Sequence, residues 1–125
     1  MKPNEFILNT DYLSLAQTNQ KTISAFFAPE PFSGGQAHNR YQDYNIPRTQ
    51  GAIDRILISH NGGNFRVGDR LVISSSPNIV YVKVYRTNPS TIRVHLHVYT
   101  SQSSYNMPTQ NIQVKVDSFK PPNVY

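Results

Sequence analysis

From Asn78 to Tyr99 the chain alternates apolar and polar residues, NIVYVKVYRTNPSTIRVHLHVY. Val80, Val82 and Val84 fall on one side of the first run, and Ile79, Tyr81, Lys83 and Tyr85 on the other. In the second run Ile92, Val94, Leu96 and Val98 share a side, opposite Arg93, His95, His97 and Tyr99. A period of two marks strands with one dry and one wetter face. Between the runs, Thr87-Asn88-Pro89-Ser90 supplies turn chemistry, because Pro fixes φ while Asn and Ser bond to the local backbone. The pattern predicts a β-hairpin, with the rest of the chain packed on its aliphatic face.

Shorter runs repeat the signal. Phe6 to Leu8 forms a short apolar strand candidate, and Asn9-Thr10-Asp11 offers a turn or helix cap before Tyr12 to Ala16. Residues 17–22 are polar, and Thr22 to Ala28 reads as a strand. Residues 52–60, AIDRILISH, carry aliphatics on both sides, as a central strand does. Asn61-Gly62-Gly63-Asn64 is a hairpin signal, Gly68-Asp69 a second turn, and Leu71 to Ile73 a return strand. TSQSSYNMPTQ, after Tyr99, reads as a polar loop. In the last strand, Asn111 to Phe119, Ile112, Val114 and Val116 face inward, and Gln113, Lys115 and Asp117 outward.

Two stretches break the pattern. Residues 29–51 are punctuated by Pro29, Pro31, Gly34, Gly35, Pro47 and Gly51, and read as one long loop. It contains Phe32, His38, Arg40, Tyr41 and Tyr44; it reads either as a flexible surface excursion or, given ring surface that a solvated loop does not need, as an arm that orders on a neighbour. The end, 120–125, holds Pro121 and Pro122, which cannot donate to a ladder, so it reads as an extended arm ending at Tyr125. Without a confident helix, the expectation is a single all-β domain over 1–125. It has about seven strands, in an antiparallel β-sandwich or small barrel with a long loop and extended terminal arms.

Composition agrees with an extended surface that meets other proteins. Only 15% of the 125 residues are charged, below the usual ~25%, and Asn, Gln, Ser and Thr take their place. A chain of this size buries about two thirds of its unfolded surface without staples. It has no cysteine, hence no disulfide or thiolate metal site. The net charge of +5 raises nucleic-acid binding. Yet Arg40, Arg48, Arg55, Arg66, Arg70, Arg86 and Arg93 form no run, so nucleic acid is not the expected partner. The opening carries no leader-like apolar stretch, and no segment approaches the ~20 apolar residues that span a bilayer. Neither export nor a membrane is expected.

His95-x-His97 is the one metal-like pair, since i and i+2 on a strand share a face. In the natural register Tyr81 and Lys83 stand opposite, and a lysine there disfavours a cation. No carboxylate follows at ligand spacing, so no metal and no cofactor are expected; the histidines are expected to stack on Tyr81 and Tyr99. Among possible nucleophiles, no Ser lies in a G-x-S-x-G elbow, and the acids are dispersed. No catalytic residue is named, and an enzyme is not expected. The hairpin's outward side, Tyr81, Tyr85, Arg93, His95, His97 and Tyr99, interleaves rings with basic groups. Bases can stack on such a face, but without a basic cluster elsewhere a protein interface fits better.

The stretch Asn61 to Ser74, NGGNFRVGDRLVIS, resembles the glycine-glycine, aromatic, x-valine-glycine-aspartate, x-leucine hairpin of structural proteins of tailed bacteriophages. It departs from that pattern at Asn64 and Phe65, where Gly or Ser and Tyr are commoner. The opening Phe6 to Gln17, FILNTDYLSLAQ, is similar to the starts of some small phage and prophage structural proteins. The resemblance implies a virion subunit, assembled in the host cytoplasm, whose partners are the major capsid protein or other virion subunits, as a homo-oligomer or bound to a lattice. A capsid decoration or cement protein is the leading expectation, held by burial of Phe32, Tyr41, Tyr44 and Tyr125 across subunit boundaries. A tail, neck or fibre component and a carbohydrate- or host-surface-binding module are the alternatives.

Overall fold

The structure, a computed structural model, describes residues 16–120, which form ten strands and no helix. One four-stranded antiparallel sheet runs in the order β1 (Ala16–Phe27), β10 (Gln110–Lys120), β4 (Ile53–His60) and β5 (Arg66–Val67). A second runs β3 (His38–Asn45), β8 (Thr91–Thr100), β7 (Asn78–Asn88) and β6 (Arg70–Ser74). A two-stranded ribbon pairs β2 (Glu30–Ser33) with β9 (Ser104–Met107). The sheets do not close into a barrel, and the fold is sandwich-like.

The hairpin that the alternation predicts is β7–β8, with Tyr81 paired to His97, Lys83 to His95 and Tyr85 to Arg93. Val80, Val82, Val84, Ile92, Val94, Leu96 and Val98 are fully enclosed. They share one core with Ile23, Ala25 and Phe27 of β1, Ile58 of β4 and Ile112, Val114 and Val116 of β10. Each such aliphatic side chain contributes about 1.5–3 kcal/mol by leaving water.

Four expectations are corrected. Residues 29–51 are not one loop, because β2 and β3 lie within them. The inner side of β3 is polar and bonds to its neighbours: Gln42 Nε2 donates to the Phe26 carbonyl at 2.6 Å, and Arg40 pairs with Glu30. His38 Nε2 lies 2.9 Å from the Ser33 carbonyl. Polar residues thus occupy both sides of this edge strand, which hydrophobic periodicity does not register. For the same reason 17–22 belongs to β1 and 104–107 to β9, through backbone pairing with β10 and β2.

The return strand β6 pairs not with β4 but with β7 in the other sheet. The chain crosses between sheets at Gly68, whose φ of 141° suits only glycine. There the Gly68 N–H donates to the Ile56 carbonyl at 2.9 Å, and the Asp69 carbonyl accepts from the Val84 N–H at 2.8 Å. Gly62 and Asn61 do adopt the positive φ that their hairpin signal requires, and β4 pairs with β5 beyond them. Asp117, expected outward, is 1% exposed and ion-paired to Arg55 at 2.7 Å. The terminal arms, Tyr125 and the candidates at 6–8 and 12–15 lie outside the described residues.

A second polar feature joins the two sheets. Arg86 of β7 donates from Nε and Nη2 to both carboxylate oxygens of Asp54 of β4, at 2.7 and 3.2 Å. Its Nη1 reaches the Ile46 carbonyl at 2.7 Å and the Pro89 carbonyl at 3.1 Å. Ser118 Oγ and Arg48 also donate to Asp54. A planar guanidinium suits this forked, nearly enclosed geometry.

Candidate interaction face

With the aliphatic sides turned inward, the opposite side of the β3–β8–β7–β6 sheet faces out. Strand register sets its layout. One row across the strands reads Asn39, His97, Tyr81 and Val72; the next reads Tyr41, His95, Lys83 and Arg70; a third reads Asp43, Arg93 and Tyr85. The outer side of β3 therefore extends the hairpin's face by three residues, and β6 adds two more.

The rings contact one another. Tyr81 stacks on His97 with centroids 4.5 Å apart and planes 16° from parallel. The Arg70 guanidinium lies over the same tyrosine at 4.2 Å. Because β8 and β6 flank β7 on opposite sides, Tyr81 is covered on both faces. Tyr41 sits 4.5 Å from His95 and carries Arg93 at 4.9 Å, while Tyr85 meets His95 edge-on. Aromatic neighbours in these geometries contribute roughly 0.5–1.5 kcal/mol a pair.

Both histidines converge on one acceptor, as His95 Nε2 lies 2.7 Å and His97 Nδ1 3.1 Å from Asn39 Oδ1. An amide oxygen only accepts, so each imidazole donates there, which sets the two rings in different tautomers. His95 Nδ1 is then a bare acceptor, and it is buried without a partner. Burial lowers the pKa of both imidazoles, and the positive charge of Lys83 lowers it further. Near pH 7 both rings are neutral. Arg93 forks onto Asp43 at 2.8 and 3.0 Å and holds that carboxyl below the usual carboxylate range.

Of the residues singled out in the sequence, this face gathers Tyr41, Tyr81, Tyr85, Arg93, His95, His97 and Tyr99. His97 stacks on Tyr81 and His95 packs at a tilt against Tyr41, while Tyr99 stands one row beyond, opposite Ile79. Others lie elsewhere. Phe32 is 2% exposed and belongs to the core, under Arg40 at 5.1 Å. Arg40 is engaged with Glu30. Tyr44 is on the inner side of β3, donates to Gln42 Oε1 at 2.6 Å, and has its phenol pKa raised by burial. Asn39, Asp43, Arg70 and Val72 also lie on this face and carry little mark of it in the sequence. The period-two run Asn39-x-Tyr41-x-Asp43 is the one signal that points to the first two.

Among the described residues, no three metal-ligating side chains converge. What this face offers is shape and hydrogen-bonding edges. Its rings pack against one another, and its cations are placed by strand register. No protein-family model, curated protein or solved structure matches the chain.

Proposed function

We propose that this chain is a non-enzymatic virion structural protein of a tailed phage or prophage, a decoration subunit that docks on neighbouring shell subunits through the outer face of the β3–β8–β7–β6 sheet. One observation supports the docking role. The rings of this face are already packed against one another, one pair stacked and the others tilted or edge-on, so their side chains have less entropy left to lose on contact. Tyr and Arg, which dominate it, are the residues most enriched at binding hot spots. At Tyr81 the same contacts leave no open ring face on which a glycan or base could stack. The virion assignment rests on the resemblance of Asn61–Ser74.

The test is stoichiometry. Particles are banded on a density gradient, and the chain is quantified by mass spectrometry against the major capsid protein. A copy number equal to that protein, or a simple fraction of it, is expected. A small residual fraction moves the chain to the tail or neck, and complete absence overturns the virion reading.

A further inference from the structure

We infer that the adjacent cations Arg70 and Lys83 form a recognition site for an acidic side chain, Asp or Glu, of the partner protein; this rests on the docking role proposed above. Arg70 and Lys83 are register partners across β6 and β7, and Lys83 and His95 across β7 and β8. Like charges placed directly opposite one another weaken a sheet. Arg70 rests on the Tyr81 ring, but among the described residues no carboxylate ion-pairs with Arg70 or Lys83. Glu30, Asp43, Asp54 and Asp117 each hold an arginine elsewhere. Asp69 stands at the rim and ion-pairs with neither cation. Beside the two cations is an open depression of about 470 Å³ lined by Asp69, Arg70, Lys83, Val84 and Tyr85.

Three features select a protein carboxylate. A second copy of this chain offers little, since its described acids other than Asp69 are already paired. A nucleic acid would bring bases that need open ring faces, and Tyr81 is covered on both sides. Val72 and Tyr41, 57% and 52% exposed on the same face, suit an acid set beside apolar residues.

The test follows backbone amides and the imidazole of His95 by NMR while the folded chain is titrated with a short capped peptide in which two glutamates flank a phenylalanine. The same titration is run with its glutamine counterpart, with oligothymidylate and with inorganic phosphate. Saturable shifts confined to Arg70, Lys83, His95 and their neighbours are expected with the glutamate peptide. The glutamine peptide should bind on the order of tenfold more weakly. Lys83→Gln should give a similar loss and raise the His95 pKa, whereas Lys115→Gln, the same charge change on the opposite sheet, should do neither. Equal binding of the glutamine peptide, tighter binding of oligothymidylate or phosphate, or no saturable shift at millimolar peptide would each overturn the inference. Particle attachment separates it from the reading on which it rests. Full attachment of Lys83→Glu removes the acid-recognition site and leaves the docking role. Absence of the wild-type chain from particles removes the virion assignment and leaves the peptide result standing.

Discussion

Two groups of charge in this molecule have opposite fates. Arg86 is enclosed with Asp54, their side chains 8% and 11% exposed, and its donors end on the carboxylate and on backbone carbonyls. Arg70 and Lys83 stand side by side on an open face, and no carboxylate among the described residues ion-pairs with either. The difference follows from water. An enclosed cation must find its acceptors within the fold, because an unpaired buried charge costs several kcal/mol. A cation at a half-open face can leave its acceptor to solvent or to another molecule. The closed group therefore joins the two sheets, and the open one is the site we infer for an acidic partner.

Breaking the closed group should have the largest effect. Asp54→Ala leaves the Arg86 guanidinium uncompensated and should cost about 3–5 kcal/mol in urea denaturation. A loss below about 1 kcal/mol would mean that the clasp is no stronger than a surface pair.

Acid should distinguish the groups next. The imidazoles of His95 and His97 have pKa values below the ordinary 6.5. Below that pH the unfolded chain binds more protons than the folded one. Stability should then be complete above about pH 6.5 and fall as the pH drops toward the folded-state values. Glu30 and Asp43, lowered by Arg40 and Arg93, add a second loss at more acid pH, as the pH falls through their folded values. Replacing both histidines by glutamine should remove the upper step and keep the lower; an unchanged upper step would place its origin outside this face.

The smallest change in stability, within about 0.5 kcal/mol, is expected for Asn39→Asp. It sets a carboxylate where both imidazoles donate, so both pKa values should rise, as measured by NMR titration. If only one rises, the acceptor is not shared.

Several elements could be read directly from the chain. The β7–β8 hairpin and its register follow from strict alternation, and so does the inward set of β10. The outward half of the candidate face was legible wherever it lay opposite valines and leucines, as at Tyr81, Lys83, His95 and His97. It was not legible on β3, where Asn39 and Tyr41 alternate with Arg40 and Gln42, polar on both sides. Phe32 read as a docking ring because glycines and prolines surround it. In the fold it enters the core beside Gly34, where an added Cβ would sit 1.6 Å from the Gln102 carbonyl oxygen.

The sequence alone determined which strands have a dry side, where the tight turns fall and that no thiol chemistry is present. These depend on residues near one another along the chain, with periods that any strand imposes. Tertiary structure alone decided that β6 joins β7 rather than β4, that Arg86 meets Asp54, and that Arg70 lines up with Lys83. Each of these contacts joins different strands, some far apart in sequence and some divided by a crossing between sheets. Charge and hydrogen bonding place no periodic mark on the chain, and they become specific only when the packed sheets bring the partners within a few ångströms.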